Sequence, residues 1–423
     1  MSTTVEGTST RAEPHAPLRA LALRCRNCGQ TTDAAPQALC FECLGPLEPA
    51  YDERRSLPDR STIAARPASL WRYREWLPFE GEPACAHEVG WTPLVEAPRI
   101  ARRLGVARAW IKNDSVSHPS LSFKDRVVAA ALNAAAAFEI RTVGCASTGN
   151  LANAVAAQAA RVGLEAWVFI PHDLELGKIV ATSIFAPKLV RVRGTYDDVN
   201  RLCAQVADCF GWGIVNVNLR AYYGEGSKTM AFEIAEQLGW RLPTAVVAPM
   251  AGGSLVSKLR KGFAEFSKAG LVEGAAPRIF GAQASGCAPI ARLVRDGGEL
   301  TPEIPHTIAR SIAIGNPADG RYAARSIIES GGWSAHVSDE ELVRGIRILA
   351  EDAGIFTETA GGATVAAALA LAAEGRFVPD DEVVLCITGN GLKTVEALDG
   401  AIPESPVIDA RLREVAALAT GHV

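Results

Sequence analysis

At 423 residues the chain is longer than one hydrophobic core usually serves, so two or three domains are expected. Apolar types make up 48% and charged types 21% of it, with 38 Gly and 6% aromatics, which excludes a disordered, fibrous or disulfide-stapled chain. The net charge of −4, from 43 basic and 47 acidic side chains, comes without a basic block able to displace counterions from a nucleic-acid backbone, so no nucleic-acid partner is expected.

Residues 1–18 mix Ser, Thr, Glu, Arg, His and Pro without an apolar run and read as a flexible tail, not a secretory signal. No stretch reaches the roughly 20 apolar residues that a membrane span needs. The Ala-rich run 363–373 is too short. A soluble, cytoplasmic chain with no membrane partner is expected, and its ten cysteines then serve more readily as thiols or metal ligands than as disulfides. Cys25-Arg-Asn-Cys28 and Cys40-Phe-Glu-Cys43 stand eleven residues apart, with Gly29 and Gly45 placed for tight turns. Four thiolates so spaced close a tetrahedral zinc site with no open position, so 19–50 reads as a zinc-ribbon-like module holding structural zinc. Cys85, Cys145, Cys203, Cys209, Cys287 and Cys386 lack a paired spacing and read as small buried hydrophobes.

Residues 51–89, rich in Arg, Pro and Trp, show neither helical nor strand period and read as a linker wrapping onto the core at 90–423. After Gly90-Trp-Thr-Pro-Leu94, β-branched runs alternate with Ala-rich stretches. Strands are predicted at 109–112, 142–145, 166–170, 189–192, 214–217, 245–248 and 383–387. Helices are predicted at 125–138, 150–162, 177–185, 196–210, 254–266 and from 391 onward. This alternation argues for the α/β class, with parallel sheets covered by helices and ligands at the carboxyl ends of the strands.

The turns at those ends carry the candidate chemistry. Lys124, in Ser122-Phe-Lys124-Asp-Arg126, opens a helix where the macrodipole opposes a cation, a placement that suits a free amine attacking an aldehyde. At the next helix start, Ser147, Thr148 and Gly149 offer hydroxyls and close backbone approach for a carboxylate, and Asn150 adds an amide. Ala251, Gly252, Gly253 and Ser254 let successive amides point at one phosphate. Gly226-Ser-Lys-Thr229 and Gly391-Leu-Lys-Thr394 lack the Gly before Lys that a nucleoside-triphosphate loop requires, and no G-x-G-x-x-G follows the first strand. Glu358, Asp197 and Asp198 read as solvated helix-end acids.

Together, Ser122-Phe-Lys124-Asp-Arg126, Ser147-Thr-Gly-Asn150, the loop 251–254 and Thr388-Gly-Asn-Gly-Leu-Lys-Thr394 resemble the pyridoxal-phosphate enzymes of the tryptophan-synthase-β-like fold. Gly90-Trp-Thr-Pro-Leu94, Asn218-Leu-Arg-Ala-Tyr-Tyr-Gly-Glu-Gly-Ser-Lys-Thr229 and the cysteine module resemble the threonine synthases among them. The resemblance covers roughly 90–399. It implies two three-layer α/β domains, with 127–235 the smaller, mobile one, and a homodimer. It further implies that Lys124 bonds to the aldehyde of pyridoxal 5'-phosphate and that Asn150 meets the ring hydroxyl. Ala251, Gly252, Gly253 and Ser254 would cradle the cofactor phosphate, and Thr388 would face the pyridine nitrogen. The implied substrate is a phosphorylated amino acid, O-phospho-L-homoserine, converted with water to L-threonine and phosphate by γ-elimination and β-addition. Ser147 and Thr148 would hold its carboxylate. Asn216, Asn218 and Arg220 are candidates for its phosphate, with Lys112 a weaker one. Ala251 departs from the Gly common in relatives and restricts the loop backbone. Two other readings stay open: a related replacement enzyme of the cysteate synthase type, and a noncatalytic scaffold built on the zinc ribbon.

Overall fold

The computed structural model describes residues 18–20, 22–147, 149–172, 174, 176–194 and 196–419; the expected tail, save Leu18, and Thr148 lie outside them. The cysteine pairs lie in turns around three short antiparallel strands, β1 (Ala22–Cys25), β2 (Thr31–Asp33) and β3 (Leu47–Ala50), ordered β2-β1-β3. The next segment holds α1 (Arg60–Ala64) and a 3-10 stretch, Leu70–Trp76. Its aromatic side chains are core residues. Trp71, Tyr73 and Trp76 are buried, and Trp76 packs edge-on against Phe266, which itself stacks on Phe232 at 4.3 Å. Irregular backbone hides any period here, yet ring burial of this size fixes the segment to the body.

The chain then enters a large sheet through β4 (Leu94–Glu96), α2 (Pro98–Leu104) and β5 (Arg108–Asn113), and leaves it along α3 (Lys124–Ala137). A second unit follows: β6 (Thr142–Ala146), α4 (Asn150–Arg161), β7 (Glu165–Pro171), α5 (Leu176–Ser183), β8 (Lys188–Val192), α6 (Tyr196–Phe210) and β9 (Gly213–Ile214). Its four strands are parallel in the order β8-β7-β6-β9. The helices α7 (Arg220–Ser227) and α8 (Thr229–Gln237) lead back to β10 (Ala245–Pro249), α9 (Ser254–Lys268), β11 (Arg278–Ala284), α10 (Pro289–Asp296), α11 (Gly320–Glu329) and β12 (Ser334–Val337). The remaining elements are α12 (Asp339–Ala353), α13 (Thr359–Ala373), β13 (Glu382–Ile387) and α14 (Leu412–Ala419). The large sheet runs β12-β11-β10-β13-β5-β4, parallel except for β4 at its edge. No helix among the described residues is long and apolar enough to cross a membrane.

Small residues set the helix spacing. A Cβ on Gly226 of α7 would stand 2.3 Å from the Arg126 carbonyl of α3, and one on Gly345 of α12 would stand 2.2 Å from the Gly362 carbonyl of α13. Both helix pairs therefore approach backbone to backbone, which is why α3 and α13 are so rich in Ala. At the start of α12, Ser338 and Glu341 form a reciprocal capping box, and Gly354 ends the helix in the left-handed region.

Three sequence expectations are corrected. The strand expected at 214–217 ends at Ile214, because the Asn218 carboxamide turns the chain by accepting from the Ile214 amide and donating to the Trp212 carbonyl. The helix expected from 391 is two 3-10 turns, Gly391–Lys393 and Val395–Leu398, the first closed by Asn390 Oδ1 on the Leu392 amide. Cys209 is exposed, whereas Cys85, Cys145, Cys203, Cys287 and Cys386 are buried.

Candidate active site

The carboxyl ends of β10, β13 and β6 converge with the start of α3 on one cavity, lined by Lys124, Ser147, Asn150, Ala251, Gly252, Gly253, Ser254 and Thr388, among others. Lys124 is the first residue of α3, and its Nζ donates to the hydroxyl of Tyr223 at 3.1 Å. The helix is fixed behind it by a fully buried ion cluster. Arg126 pairs with Asp114 at 2.6 Å and with Glu233, while Lys112 pairs with the same Glu233 at 2.7 Å. Glu233 also accepts from the amides of Trp91 and Thr92, which ties the Gly90–Leu94 motif to α8. Burial works to raise the Glu233 pKa, but Arg126 and Lys112 outweigh it and hold the carboxyl at about 2. Lys112 is thereby committed to the core and is no phosphate ligand.

Asn150 opens α4, and its Nδ2 donates to Glu358 Oε1 at 2.7 Å. Glu358 is buried at the N-terminus of α13 and lines the cavity, so the solvated role expected for it is corrected. Asn150 Oδ1 and Glu358 Oε2 are both buried without a partner among the described residues. Both atoms are thus available to a group bound in the cavity. Sequence reasoning missed Glu358 because an acid before an apolar helix resembles an ordinary cap.

The loop between β10 and α9 turns at Gly253, whose φ of +92° and position, with a Cβ placed only 2.9 Å from the Asp319 carbonyl, require glycine. Around Gly252 the nearest atom to a Cβ would be 4.0 Å away, leaving the loop open on the cavity side. The amides of Ala251, Gly252, Gly253 and Ser254 have no acceptor within the described residues, as expected at the start of a helix. Free amides at the positive end of α9 suit an anion.

Next to this loop, Arg220 opens α7 and donates to Asp319 at 2.6 Å, and the Asp319 amide donates to the Gly252 carbonyl. Burial disfavours the Arg220 charge, but the Asp319 carboxylate outweighs it and raises the guanidinium above its ordinary value. Asn216 lines the same cavity, with Oδ1 on the Ala146 amide and Nδ2 directed at Tyr196 and Asn200, so it orients those two side chains. Asn218, held in the turn described above, does not line the cavity. Ser147 Oγ accepts from the Gly149 and Ala152 amides, which caps α4 and leaves its own O–H to donate. Tyr223, absent from the sequence candidates, lay inside a quoted motif whose first residues drew the attention.

The sequence matches the family model described as "Pyridoxal-phosphate dependent enzyme" over residues 86–389. It is 34% identical over 380 residues to the threonine synthase of Methanocaldococcus jannaschii, covering 88% of this chain and 93% of that one. The threonine synthase of Methanosarcina acetivorans is also 34% identical, over 92% and 96% of the two chains. The chain belongs to the threonine synthase family of pyridoxal-phosphate dependent enzymes. Its tryptophan-synthase-β-like fold is shared with an L-serine ammonia-lyase from Rhizomucor miehei, at TM-score 0.62 and 21% identity over 73% of this chain and 96% of that one.

The cavity fits the family's cofactor on its own geometry. An amine, a set of free amides, the Thr388 hydroxyl and two unpartnered polar atoms at Asn150 and Glu358 line one space. Around the small N-terminal sheet, the ligand atoms of Cys25, Cys28, Cys40 and Cys43 lie within 4.8 Å of one another. Sulfur separations of 3.5 Å (Cys25 to Cys43) and 3.8 Å (Cys28 to Cys40) suit a tetrahedral zinc site, in which about 3.8 Å is expected from Zn–S bonds near 2.3 Å. The Asn27 side chain and the Gly45 amide lower Cys43 to about 6, while, against the opposing Gln30 backbone, the hydrogen bond to Cys43 helps push Cys28 up to about 12, as expected when neighbouring sulfurs share protons that a metal would displace.

Proposed function

We propose that this enzyme converts O-phospho-L-homoserine and water to L-threonine and phosphate. The observation that carries the reading is that two groups able to bind anions, the free amides of 251–254 and the guanidinium of Arg220, line one cavity together with Lys124. When bound, pyridoxal 5'-phosphate supplies the electron sink that makes loss of the substrate's α-proton and of its phosphate feasible. The chain's own residues do the rest. Lys124 Nζ takes the α-proton and returns protons along the substrate, and the Tyr223 hydroxyl within hydrogen-bond reach relays one between that amine and the departing phosphate.

Ser147 donates to the substrate carboxylate, Asn150 contacts the ring hydroxyl, and the 251–254 amides hold the cofactor phosphate. Thr388 meets the ring nitrogen with a neutral hydroxyl. Arg220 receives the substrate phosphate through a charge-assisted contact, with Asn216 shaping that wall through Tyr196 and Asn200. Thr148 completes the carboxylate site in this reading. Zinc held by Cys25, Cys28, Cys40 and Cys43 has a structural role, since four sulfur ligands leave no open coordination position. The reading also takes the protein as a cytoplasmic homodimer; its ten free cysteines suit a reducing compartment.

The test compares phosphate release from O-phospho-L-homoserine and O-phospho-L-serine, with product identification. Threonine from the first substrate alone is expected. Turnover of phosphoserine with sulfite would instead assign a replacement enzyme. Lys124→Ala is expected to abolish turnover and covalent labelling of the holoenzyme on borohydride reduction, and retained activity would contradict the assignment.

A further inference from the structure

The cysteine module and the arginine of the cavity wall meet at one carboxylate. Arg26 sits inside the first cysteine pair, and its Nη1 lies 3.2 Å from Oδ1 of Asp319, 293 positions away in sequence. Its guanidinium also lies over the Tyr322 ring of α11, 4.2 Å from the ring centre, which fixes its direction. The other oxygen of that carboxylate, Oδ2, accepts from Arg220 Nη2 at 2.6 Å. The Asp319 side chain is only 6% exposed. Its main chain is tied to the 251–254 loop, because its amide donates to the Gly252 carbonyl at 2.9 Å and its own carbonyl backs Gly253.

The charges on this wall can be counted. Arg220 and Asp319 alone would form a neutral pair, and Asp197 also lines the cavity, so the wall would repel a phosphate dianion. Arg26 changes that balance. With one carboxylate shared between two guanidinium groups, the three-residue cluster carries one positive charge, which offsets Asp197 and leaves Arg220 donors and charge to give to an incoming anion. Because Arg26 sits in the turn after β1 of a separate small sheet, its contribution depends on that module being seated against α11.

We propose that Arg26 is a positioning residue for the substrate phosphate, acting through Asp319 on Arg220, and that the cysteine module thereby completes the anion site of the catalytic core. This rests on the reading that Arg220 receives the substrate phosphate.

The test measures O-phospho-L-homoserine kinetics and inhibition by inorganic phosphate in the holoenzyme, for the wild type, Arg26→Ala and Arg26→Lys. Loss of one charge from a partly buried cluster is expected to raise both KM and the phosphate inhibition constant roughly fivefold or more, with kcat within about twofold. Cofactor affinity, read by absorbance titration, stays unchanged. Arg26→Lys recovers most of the loss. In an Asp319→Asn background, Arg26→Ala has little further effect, because the carboxylate that carries the influence is gone. Unchanged KM and inhibition constant in Arg26→Ala, or an equal effect in the Asp319→Asn background, would overturn the proposal. If the wild type releases no phosphate from this substrate, the functional reading has failed on its own. Titration calorimetry of inorganic phosphate into the same holoenzymes then decides the relay, and equal affinities, or none in the wild type, reject it.

Discussion

Asp125 follows Lys124 in α3 and is fully buried, a placement that gives a sharp prediction about stability. Burial raises its pKa from 3.8 to about 6, and the hydrogen bonds from Ser120 and Gln158 offset this only in part. An acid whose folded pKa is raised binds more protons in the native state than when unfolded. Native stability therefore falls as pH rises from about 4 to about 6, and the full penalty is present above that window. With each unit equal to 1.36 kcal/mol, the rise of about 2 units corresponds to about 3 kcal/mol. Asp125→Asn removes the titration while keeping an oxygen for the Ser120 amide, which donates to Oδ2 at 3.0 Å. The variant should be more stable than the wild type by up to about 3 kcal/mol at pH 7–8 and nearly equal to it at pH 4. Urea denaturation of both proteins across this range, in matched buffers, reads the difference directly and cancels every other titrating group. A stability difference that does not change with pH would refute the assignment of a buried, raised carboxyl.

Other expectations follow from the same geometry. Glu233→Gln should destabilise the fold by about 3–5 kcal/mol in denaturant melts, because it leaves Arg126 and Lys112 short of their shared buried partner. Since the Glu233 pKa is depressed, that contribution is complete above about 4.5 and fades as pH falls toward 2, so wild type and variant should converge in acid. Gly253→Ala forces a Cβ against the Asp319 carbonyl at positive φ, a strain of about 1–3 kcal/mol, and should weaken cofactor binding about tenfold in a titration of the apoprotein. An unchanged dissociation constant would remove this loop from the phosphate site. Cys25→Ser or Cys40→Ser should abolish zinc in elemental analysis of the purified protein while cofactor binding persists; a wild type free of metal would refute the zinc assignment.

Much of the core was legible because its signals are local. The strands that became β5, β6, β7, β8, β10 and β13 are short β-branched runs, each starting within a residue of its expected position. Helices α3, α4, α6 and α9 likewise begin within a residue of where their Ala-rich or capped starts placed them. Lys124, Asn150 and the 251–254 loop could be found because each sits at a strand-to-helix turn, where function leaves a mark in residue type. β11 and β12 were missed: Arg278–Ala284 carries Gly, Ala and Gln in place of a β-branched run, and Ser334–Val337 is only four residues long.

What stayed hidden depends on contacts between distant segments. Nothing in the local sequence shows that Glu358 would be turned inward against Asn150, 208 positions away, or that Lys112 would be drawn into the core by Glu233. Arg26 is the clearest case. Between two cysteines it looks like a solubilising residue on a knuckle, because the spacing speaks only of the metal. Its partner is supplied by tertiary structure, where α11 brings Asp319 between the cysteine sheet and α7. A charge pattern of this kind is set by which surfaces the fold presses together, so a residue's role there becomes visible only when both oxygens of the shared carboxylate can be assigned.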